Sequence, residues 1–185
     1  MKLIHRLLSG CLALQLITAG VSAQTAPPVL PSDVAVNLPR AEFAGKGKLT
    51  FFGLEVYESS LWVAPNFKGL DFEKHNFALE LHYLRNFTAA DIAKRSLEEM
   101  QRIEQVPEQK AAQWTQTLSK VLPNVKKGDR LIGTHKPGTG LTFWLNGKNI
   151  GEIRDAEFSR QFFAIWLSPK TSEPKLRTAL LGYVN

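Results

Sequence analysis

The clearest pattern of apolar and polar positions in the chain lies between residues 138 and 167. Its first part has an apolar residue at every second position: Leu141, Phe143 and Leu145. The pair Asn146-Gly147 follows, and both residue types tolerate the positive φ angles of a type I′ turn. A second short run covers residues 148–153, so the sequence predicts a β-hairpin here.

A helix is predicted directly after this hairpin. Asp155 is a candidate N-cap, because its carboxylate can accept hydrogen bonds from the free amides of a first helical turn. The residues that follow include an apolar set at helical spacing: Phe158, Phe162, Ile165 and Trp166. This periodicity predicts a helix with an aromatic face, and the natural surface for that face to cover is the sheet of the hairpin.

The rest of the chain supplies more strands and more helices. Residues 77–85 alternate between apolar and polar types, which predicts a strand with one solvent-facing side. Thr88 and Asp91 have the spacing of a capping box at the start of a helix. Pro107 stands where a second helix can begin without losing a hydrogen bond. We also expect strands on both sides of a bend at Gly53, a strand over residues 130–135, and a last helix that ends at Gly182.

The order of these elements defines the fold class. Strands come first, then two helices, then three strands, then two helices. Grouped strands joined by hairpins favour an antiparallel sheet with helices packed on it, so we predict an α+β fold. The composition, 44% hydrophobic and 22% charged residues, is ordinary for one globular domain.

The amino terminus has the pattern of an export signal. Positive residues precede an apolar run, and small residues up to Ala23 provide a cleavage site, so we expect residues 1–23 to be removed and the protein to reach the periplasm. A lipid-attachment box at Cys11 is the competing interpretation. Residues 24–39 are rich in proline and are predicted to be an extended lead-in. Residues 40–185 are predicted to form a single domain.

The charge of the chain narrows the possible partners. It has 23 Lys and Arg residues against 17 Asp and Glu, and the positive residues are scattered. Nucleic-acid surfaces show clustered positive residues with interleaved aromatics, so we predict no nucleic-acid partner. A mild positive charge favours an anionic small molecule, or peripheral contact with membrane lipid. The oligomeric state stays open.

The motifs of common reaction centres are missing from the sequence. The four histidines are isolated and no paired Cys/His spacing occurs, so no metal site and no cofactor are predicted. Haem binding through His82 or His135 stays open. The run Gly138-Thr139-Gly140 lacks the strand-to-helix setting of a phosphate-binding loop and is predicted to be a turn. No nucleophile elbow of the GxSxG type is present.

Several segments together resemble the exported bacterial branch of the chalcone isomerase-like family. They are LEVYESSLWV, FALELHYLRNFTAADIAKRSLEEM, and a C-terminal block that includes NGKNIGEI and FFAIWLSPKTS. The resemblance implies an open-faced β-sandwich, in which an antiparallel sheet is covered by a layer of helices with a ligand cleft between them. The family contains isomerases that close the ring of a chalcone, and non-catalytic members that bind fatty acids.

Candidate site residues follow from this resemblance. The helix tyrosine of the isomerases falls on Ile92, the lysine one turn later falls on Arg95, and Lys48 is the nearest cation to the expected strand arginine. Tyr57 matches a tyrosine of the lipid-binding members. Arg95 and Glu99 are one helical turn apart and could place a cation at the cleft wall. The competing interpretation is a solvated pair on the protein surface.

The departures from the isomerase pattern favour binding over catalysis. We therefore predict ligand-binding residues at Tyr57, Arg95, Glu99 and Lys48, and no catalytic residues. The expected function is an exported protein that holds a fatty-acyl or similar amphipathic acid. The alternatives are an intramolecular lyase of the chalcone isomerase type and a structural module of the cell envelope that binds another protein.

Overall fold

The structure, a computed structural model, describes residues 28–182. Six strands form one sheet: β1 (Glu42–Phe51), β2 (Leu54–Val63), β3 (Phe77–Tyr83), β4 (Arg130–Lys136), β5 (Gly140–Leu145) and β6 (Lys148–Ile153). The α-helices of the described region are α1 (Ser32–Asn37), α2 (Ala89–Ile103), α3 (Glu108–Val121), α4 (Ala156–Leu167) and α5 (Pro174–Leu180). A short irregular 3₁₀ segment, Gly69–Lys74, connects β2 to β3.

The sheet is a simple antiparallel meander in which each strand pairs with the next along the chain. The expected hairpin between β5 and β6 is present, and Asn146 and Gly147 have φ angles of 49° and 84°. The bend expected at Gly53 is a second two-residue turn, made by Phe52 and Gly53 with φ angles of 47° and 75°. The predicted antiparallel α+β architecture is therefore confirmed.

Both predicted helix caps are present. The Oγ1 atom of Thr88 accepts a hydrogen bond from the backbone amide of Asp91 at 3.1 Å. The Asp155 carboxylate accepts from the amide of Phe158 at 2.9 Å, and its second oxygen accepts from the indole of Trp114 at 2.9 Å. The second contact ties α4 to α3, so one capping residue also fixes the packing of two helices.

The main core lies between one face of the sheet and the layer of helices α2 to α5. The large side chains with almost no exposed surface include Phe77, Phe143, Phe158 and Phe163. We call this helix-covered side the inner face. Because side chains alternate along a strand, the same strands supply a second set to the opposite, outer face, where a smaller apolar cluster includes Val34, Trp62 and Ile132.

The prediction of an extended lead-in over residues 24–39 is wrong for its second half. Residues 32–37 form the short helix α1, which packs on the outer face. Val34 and Leu38 are buried there, and the guanidinium of Arg130 on β4 bonds the carboxylate of Asp33. This tertiary contact stabilises a helix of a length that is marginal by itself. The predicted signal, residues 1–23, lies outside the described residues.

Among residues 28–182, no helix combines the length and the apolar character that a membrane crossing needs.

Candidate ligand-binding site

A cavity of about 330 Å³ lies between the inner face and helices α2, α4 and α5. Its wall is mainly apolar, with side chains from the sheet on one side and from the helices on the other. The apolar wall residues are Leu49, Phe51, Val56, Leu81, Phe87, Ile92, Leu122, Leu131, Phe162, Ile165, Trp166 and Leu176. The polar wall residues are Tyr57, Tyr83, Asp91, Arg95, Ser96, Glu99, Ser172 and Glu173.

The aromatic helix α4 forms part of this wall, as its position after the hairpin suggested. Phe162, Ile165 and Trp166 face the cavity. Phe158, one turn earlier, is instead fully buried against Trp114, with ring centroids 5.4 Å apart. The last two turns of α4 therefore enclose the cavity, while its first turn anchors the helix layer.

Tyr57 lies in the cavity wall, and its hydroxyl oxygen accepts a hydrogen bond from the indole of Trp166 at 2.9 Å. Within the described part of the chain no acceptor is found for the hydroxyl proton of Tyr57. Burial raises the pKa of this tyrosine above its ordinary value, against the smaller opposing effect of the Trp166 bond. The hydroxyl therefore stays protonated and can donate a hydrogen bond into the cavity.

Tyr83 is a second buried tyrosine of the wall, and the sequence analysis did not select it. Its ring lies edge-on to that of Tyr57 with centroids 6.0 Å apart, and among residues 28–182 its hydroxyl has no hydrogen-bond partner. Burial raises the pKa of Tyr83 as well. The alternation of β3, which puts Leu81 and Tyr83 on one side, was the signal that could have identified it.

Arg95 and Glu99 both reach the cavity and form the expected pair, with Nη2 of Arg95 2.6 Å from Oε1 of Glu99. The other carboxylate oxygen of Glu99 accepts from Nε of Arg102 at 2.9 Å and from Oγ of Ser172 at 2.8 Å. Burial alone would raise the pKa of Glu99, but the bonds from Arg102 and Ser172 and the charge of Arg95 together lower it. Glu99 is therefore ionised at neutral pH.

Arg95 stands at the rim of the cavity. Its side chain is 59% exposed, and its guanidinium carbon lies 5.7 Å from the centre of the Phe51 ring. Phe51 itself is half-exposed and lines the cavity. The arginine and the phenylalanine thus border the same opening, where solvent meets the apolar interior.

Lys48, the fourth predicted ligand-binding residue, does not lie in the wall of this cavity. Its neighbour Leu49 lines the cavity, and alternation along β1 sends the Lys48 side chain to the outer face. There its Nζ lies 2.7 Å from Glu55 and 3.5 Å from Glu58, and the bond to Glu55 is the main reason that the pKa of Lys48 is raised. The sequence placed the strand correctly but assigned this cation to the wrong face.

The described residues offer no metal centre and no ligand for haem iron at His135. No group of three or more His, Cys, Asp or Glu side chains is placed to hold a metal ion in this part of the chain. His135 is buried, with Nδ1 2.7 Å from Oγ of Ser159 and Nε2 3.0 Å from the carbonyl oxygen of Glu73. Both ring nitrogens are engaged, while His82 faces outward from β3, away from the cavity.

The fold is thus an antiparallel sheet covered on one side by helices, with an apolar cavity between the two layers. The chain belongs to the chalcone isomerase-like family, whose model matches residues 29–182. No curated protein matches the chain.

A crystal structure with the same fold is that of a fatty-acid binding protein from Arabidopsis thaliana. It is 11% identical in sequence, with a TM-score of 0.61, and the match covers 76% of this chain and 86% of the other. At this identity the likeness establishes the fold, and the predicted open-faced β-sandwich is confirmed.

Proposed function

We propose that this protein is an exported, non-catalytic carrier that holds a fatty-acyl or similar amphipathic acid in the cavity between sheet and helices. The observation that carries the proposal is an apolar cavity of about 330 Å³ with two buried tyrosine hydroxyls that are free to donate. The fatty-acid binding protein of the same fold supports this choice of ligand class. Export is supported by the amino-terminal pattern, and peripheral contact with lipid by the nature of the ligand.

Burial of the acyl chain supplies most of the binding free energy. Each methylene moved from water into an apolar site contributes about 0.8 kcal/mol, so ten of them contribute about 8 kcal/mol before ordering costs are subtracted. One polar anchor is then enough to reach about micromolar affinity. In the wall of the cavity apolar side chains outnumber polar ones, as expected for a site that binds mainly by apolar burial and uses few polar contacts.

Arg95 is the anchor that we assign to the acid group. It is the one cation of the cavity wall among the described residues. Turning toward a ligand would not leave its present partner unpaired, because Glu99 also accepts hydrogen bonds from Arg102 and Ser172. The hydroxyls of Tyr57 and Tyr83 add neutral donors for the same head group, since burial keeps both tyrosines protonated.

Binding is favoured over isomerase chemistry by what the cavity lacks. The position matched to the helix tyrosine of the isomerases holds the apolar side chain of Ile92, and Lys48 lies outside the cavity. Arg95 and the tyrosines thus suffice to hold an acid, while an oxyanion site is incomplete.

The decisive experiment identifies the ligand and then removes its anchor. The protein is purified from an exporting host without detergent, and bound molecules are identified by native mass spectrometry and by lipid extraction. Displacement of a fluorescent fatty acid is then measured for Arg95→Gln, for Tyr83→Phe, and for Lys48→Gln as the matched control outside the cavity. We expect about tenfold weaker binding for Arg95→Gln, a smaller loss for Tyr83→Phe and no change for Lys48→Gln.

Other outcomes would reject the proposal. Wild-type protein that carries no lipid and does not take up the fluorescent acid would exclude a fatty-acyl ligand. Saturable cyclisation of an added chalcone, followed by its absorbance and lost in Tyr57→Phe, would establish the isomerase instead. Amino-terminal sequencing of the purified protein tests export, because a cleaved signal leaves Gln24 as the first residue.

A further inference from the structure

The tip of the β1–β2 hairpin exposes three large apolar side chains to solvent. Phe51, Phe52 and Leu54 are 50%, 90% and 51% exposed, and the two phenylalanine rings meet edge-on with centroids 4.5 Å apart. Other exposed apolar side chains in the described region, such as Leu70 and Val36, lie elsewhere along the chain. The hairpin tip is therefore an apolar cluster without a role in the core.

The backbone conformation at this tip does not favour a phenylalanine at position 52, so the stability of the fold does not explain that residue. Phe52 has a φ angle of 47°, in the left-handed region that disfavours bulky side chains. The β5–β6 turn has nearly the same geometry, and there the position is filled by Asn146, whose side chain bonds Asp129 and the amide of Arg130. The chain thus keeps a strained, exposed aromatic where a better turn residue exists.

The tip also adjoins the opening of the cavity. Phe51 belongs to both features, since it is half-exposed at the tip and lines the cavity wall. The guanidinium of Arg95, which we assigned to the acid group of the ligand, lies over the same ring. Whatever the tip contacts is therefore brought directly against the rim of the binding site.

Charged residues around the tip are present in both signs and are paired with one another. Lys48 pairs with Glu55 and Glu58 on the outer face, and Arg95 pairs with Glu98 and Glu99 on the other side. Two cations against four carboxylates leave this collar without free positive charge, which suits head groups of no net charge, such as phosphatidylcholine and phosphatidylethanolamine, better than anionic ones. An anionic surface would instead call for an excess of unpaired cations.

We propose that this hairpin tip inserts into the interface of a zwitterionic phospholipid bilayer and sets the mouth of the cavity against the lipid, so that an amphipathic acid passes between bilayer and cavity. The inference rests on the proposed function, because only a lipid-like ligand gives the contact a purpose. Aromatic rings beside Lys and Arg side chains suit the membrane interface. A two-residue turn is convex, which fits insertion into lipid better than docking on the flat surface of a protein.

The test uses vesicles of pure phosphatidylcholine and a variant that should not damage the fold. Phe52→Asn removes the most exposed ring and installs the residue that the β5–β6 turn already uses. Leu70→Asn is the matched control, because Leu70 is 82% exposed and lies in the connection from β2 to β3, at the end of β2 opposite the tip. Each protein is expressed from the full sequence, and mass spectrometry verifies that all variants share the same processed amino terminus.

We expect wild-type protein to co-float with these vesicles at both low and high salt, because the contact is apolar. Phe52→Asn should partition about tenfold less, the scale expected for removing one inserted aromatic side chain, with a melting temperature equal to or above that of wild type. Leu70→Asn should partition like wild type. Uptake of the fluorescent fatty acid in vesicle-free buffer should be the same for all three proteins.

Several results would overturn the inference. Wild-type protein that ignores neutral vesicles, or binds only anionic ones and releases them in salt, excludes the proposed contact. Equal partition of wild type and Phe52→Asn excludes the tip. Self-association that Phe52→Asn abolishes, without vesicle binding, would make the tip a contact between copies. Vesicle binding by a wild-type protein that takes up no fatty acid would support membrane contact by the tip and reject the proposed ligand. Vesicle binding by Arg95→Gln likewise separates membrane contact from fatty-acid binding.

Discussion

The two faces of the sheet are built from alternate residues of the same strands, yet they are completed in different ways. On β3, Leu81 and Tyr83 face the helices and border the cavity. Glu80, the residue before Leu81, faces outward and lies 3.7 Å from Arg130, which also bonds Asp33 of α1. The outer face is thus closed by a short helix and a charge network, while the inner face keeps a void.

This contrast indicates which side of the sheet accommodates a ligand. An unfilled apolar cavity lowers stability, because its wall loses the contacts that a close-packed core provides. On the outer face, the much shorter helix α1 packs closely against the sheet. A close-packed contact between helix and sheet is therefore possible in this fold. The void on the inner face is therefore best explained by a ligand that fills it, and four substitutions test the contrast.

The largest effect is expected for Asp33→Ala on the outer face. Asp33 is buried and accepts hydrogen bonds from Arg130 on both carboxylate oxygens, so its removal leaves the partly buried Arg130 with the more distant carboxylate of Glu80. We expect the free energy of unfolding, measured by urea denaturation, to fall by about 3 kcal/mol. Fatty-acid uptake per folded molecule should stay at the wild-type level, because the change lies on the face without the cavity.

A matched control separates burial from simple loss of charge. Glu152→Ala breaks the pair with Arg154, in which both side chains are largely exposed. Exposed pairs contribute at most about 1 kcal/mol, so this variant should remain close to wild type. An equal cost for Glu152→Ala and Asp33→Ala would mean that the outer network is not a structural closure.

A substitution that fills the cavity should have the opposite effects, with weaker ligand binding and unchanged stability. Ser96 is a small buried residue of α2 in the cavity wall, and Ser96→Phe places a ring into the void. We expect fatty-acid affinity to fall at least about tenfold, equivalent to 1.4 kcal/mol, while the ligand-free protein melts at the same or a higher temperature. Ser60→Phe, on the outer face of β2, is the control and should bind normally. Unchanged affinity in Ser96→Phe would show that the ligand does not use this cavity.

Glu99→Gln tests the competition for Arg95 at the rim. The neutral amide removes the carboxylate that now pairs with Arg95, and with it the repulsion of an incoming acid. We expect a few-fold tighter binding of a fatty acid, about 0.5 to 1 kcal/mol, and no such gain for the corresponding fatty alcohol. Displacement titrations with the two ligands measure this difference. Weaker binding of the acid would mean that Glu99 holds Arg95 in its working position.

The sequence predicted much of this architecture because its local signals agree with the global fold. Thr88 and Asp155 cap the expected helices, and the alternation of β3 and β5 set the inner and outer faces correctly. The helical spacing of Arg95 and Glu99 also placed both correctly on one side of α2. Each of these features depends on residues close together in the chain, where periodicity and capping are informative.

The errors arose where distant contacts decide the structure. Helix α1 is stabilised through Asp33 and Arg130, which are 97 residues apart in the chain. Local periodicity in the sequence does not predict such a pair. Lys48 was selected as the nearest cation to an expected position, without regard to the face that its strand register gives it. Tyr83 was placed on the correct face, but its free hydroxyl became evident only with the cavity around it.

Glu80→Gln is expected to have the smallest effect. Its effect on the free energy of unfolding should depend on pH. Burial raises the pKa of Glu80 above its ordinary value, and the nearby Arg130 offsets this only in part. The ionised carboxylate is therefore unfavourable in the folded state at neutral pH, and the neutral amide should stabilise the protein by up to about 1 kcal/mol. This advantage should shrink as the pH falls through the raised pKa, because the wild-type carboxyl then takes up a proton.

Glu99, on α2 at the wall of the cavity, should show the opposite dependence of stability on pH. Its pKa is lowered, so its contribution to stability is present above its ordinary range and is lost as the pH falls through the lowered value. Urea denaturation of wild type, Glu80→Gln and Glu99→Gln at neutral pH and near pH 4 measures both signs. Glu58→Gln, an exposed acid on the outer side of β2, is the control. A gain for Glu80→Gln that persists in acid would show that the outer face is relieved by better packing of the amide, and that the charge of Glu80 is not the cause.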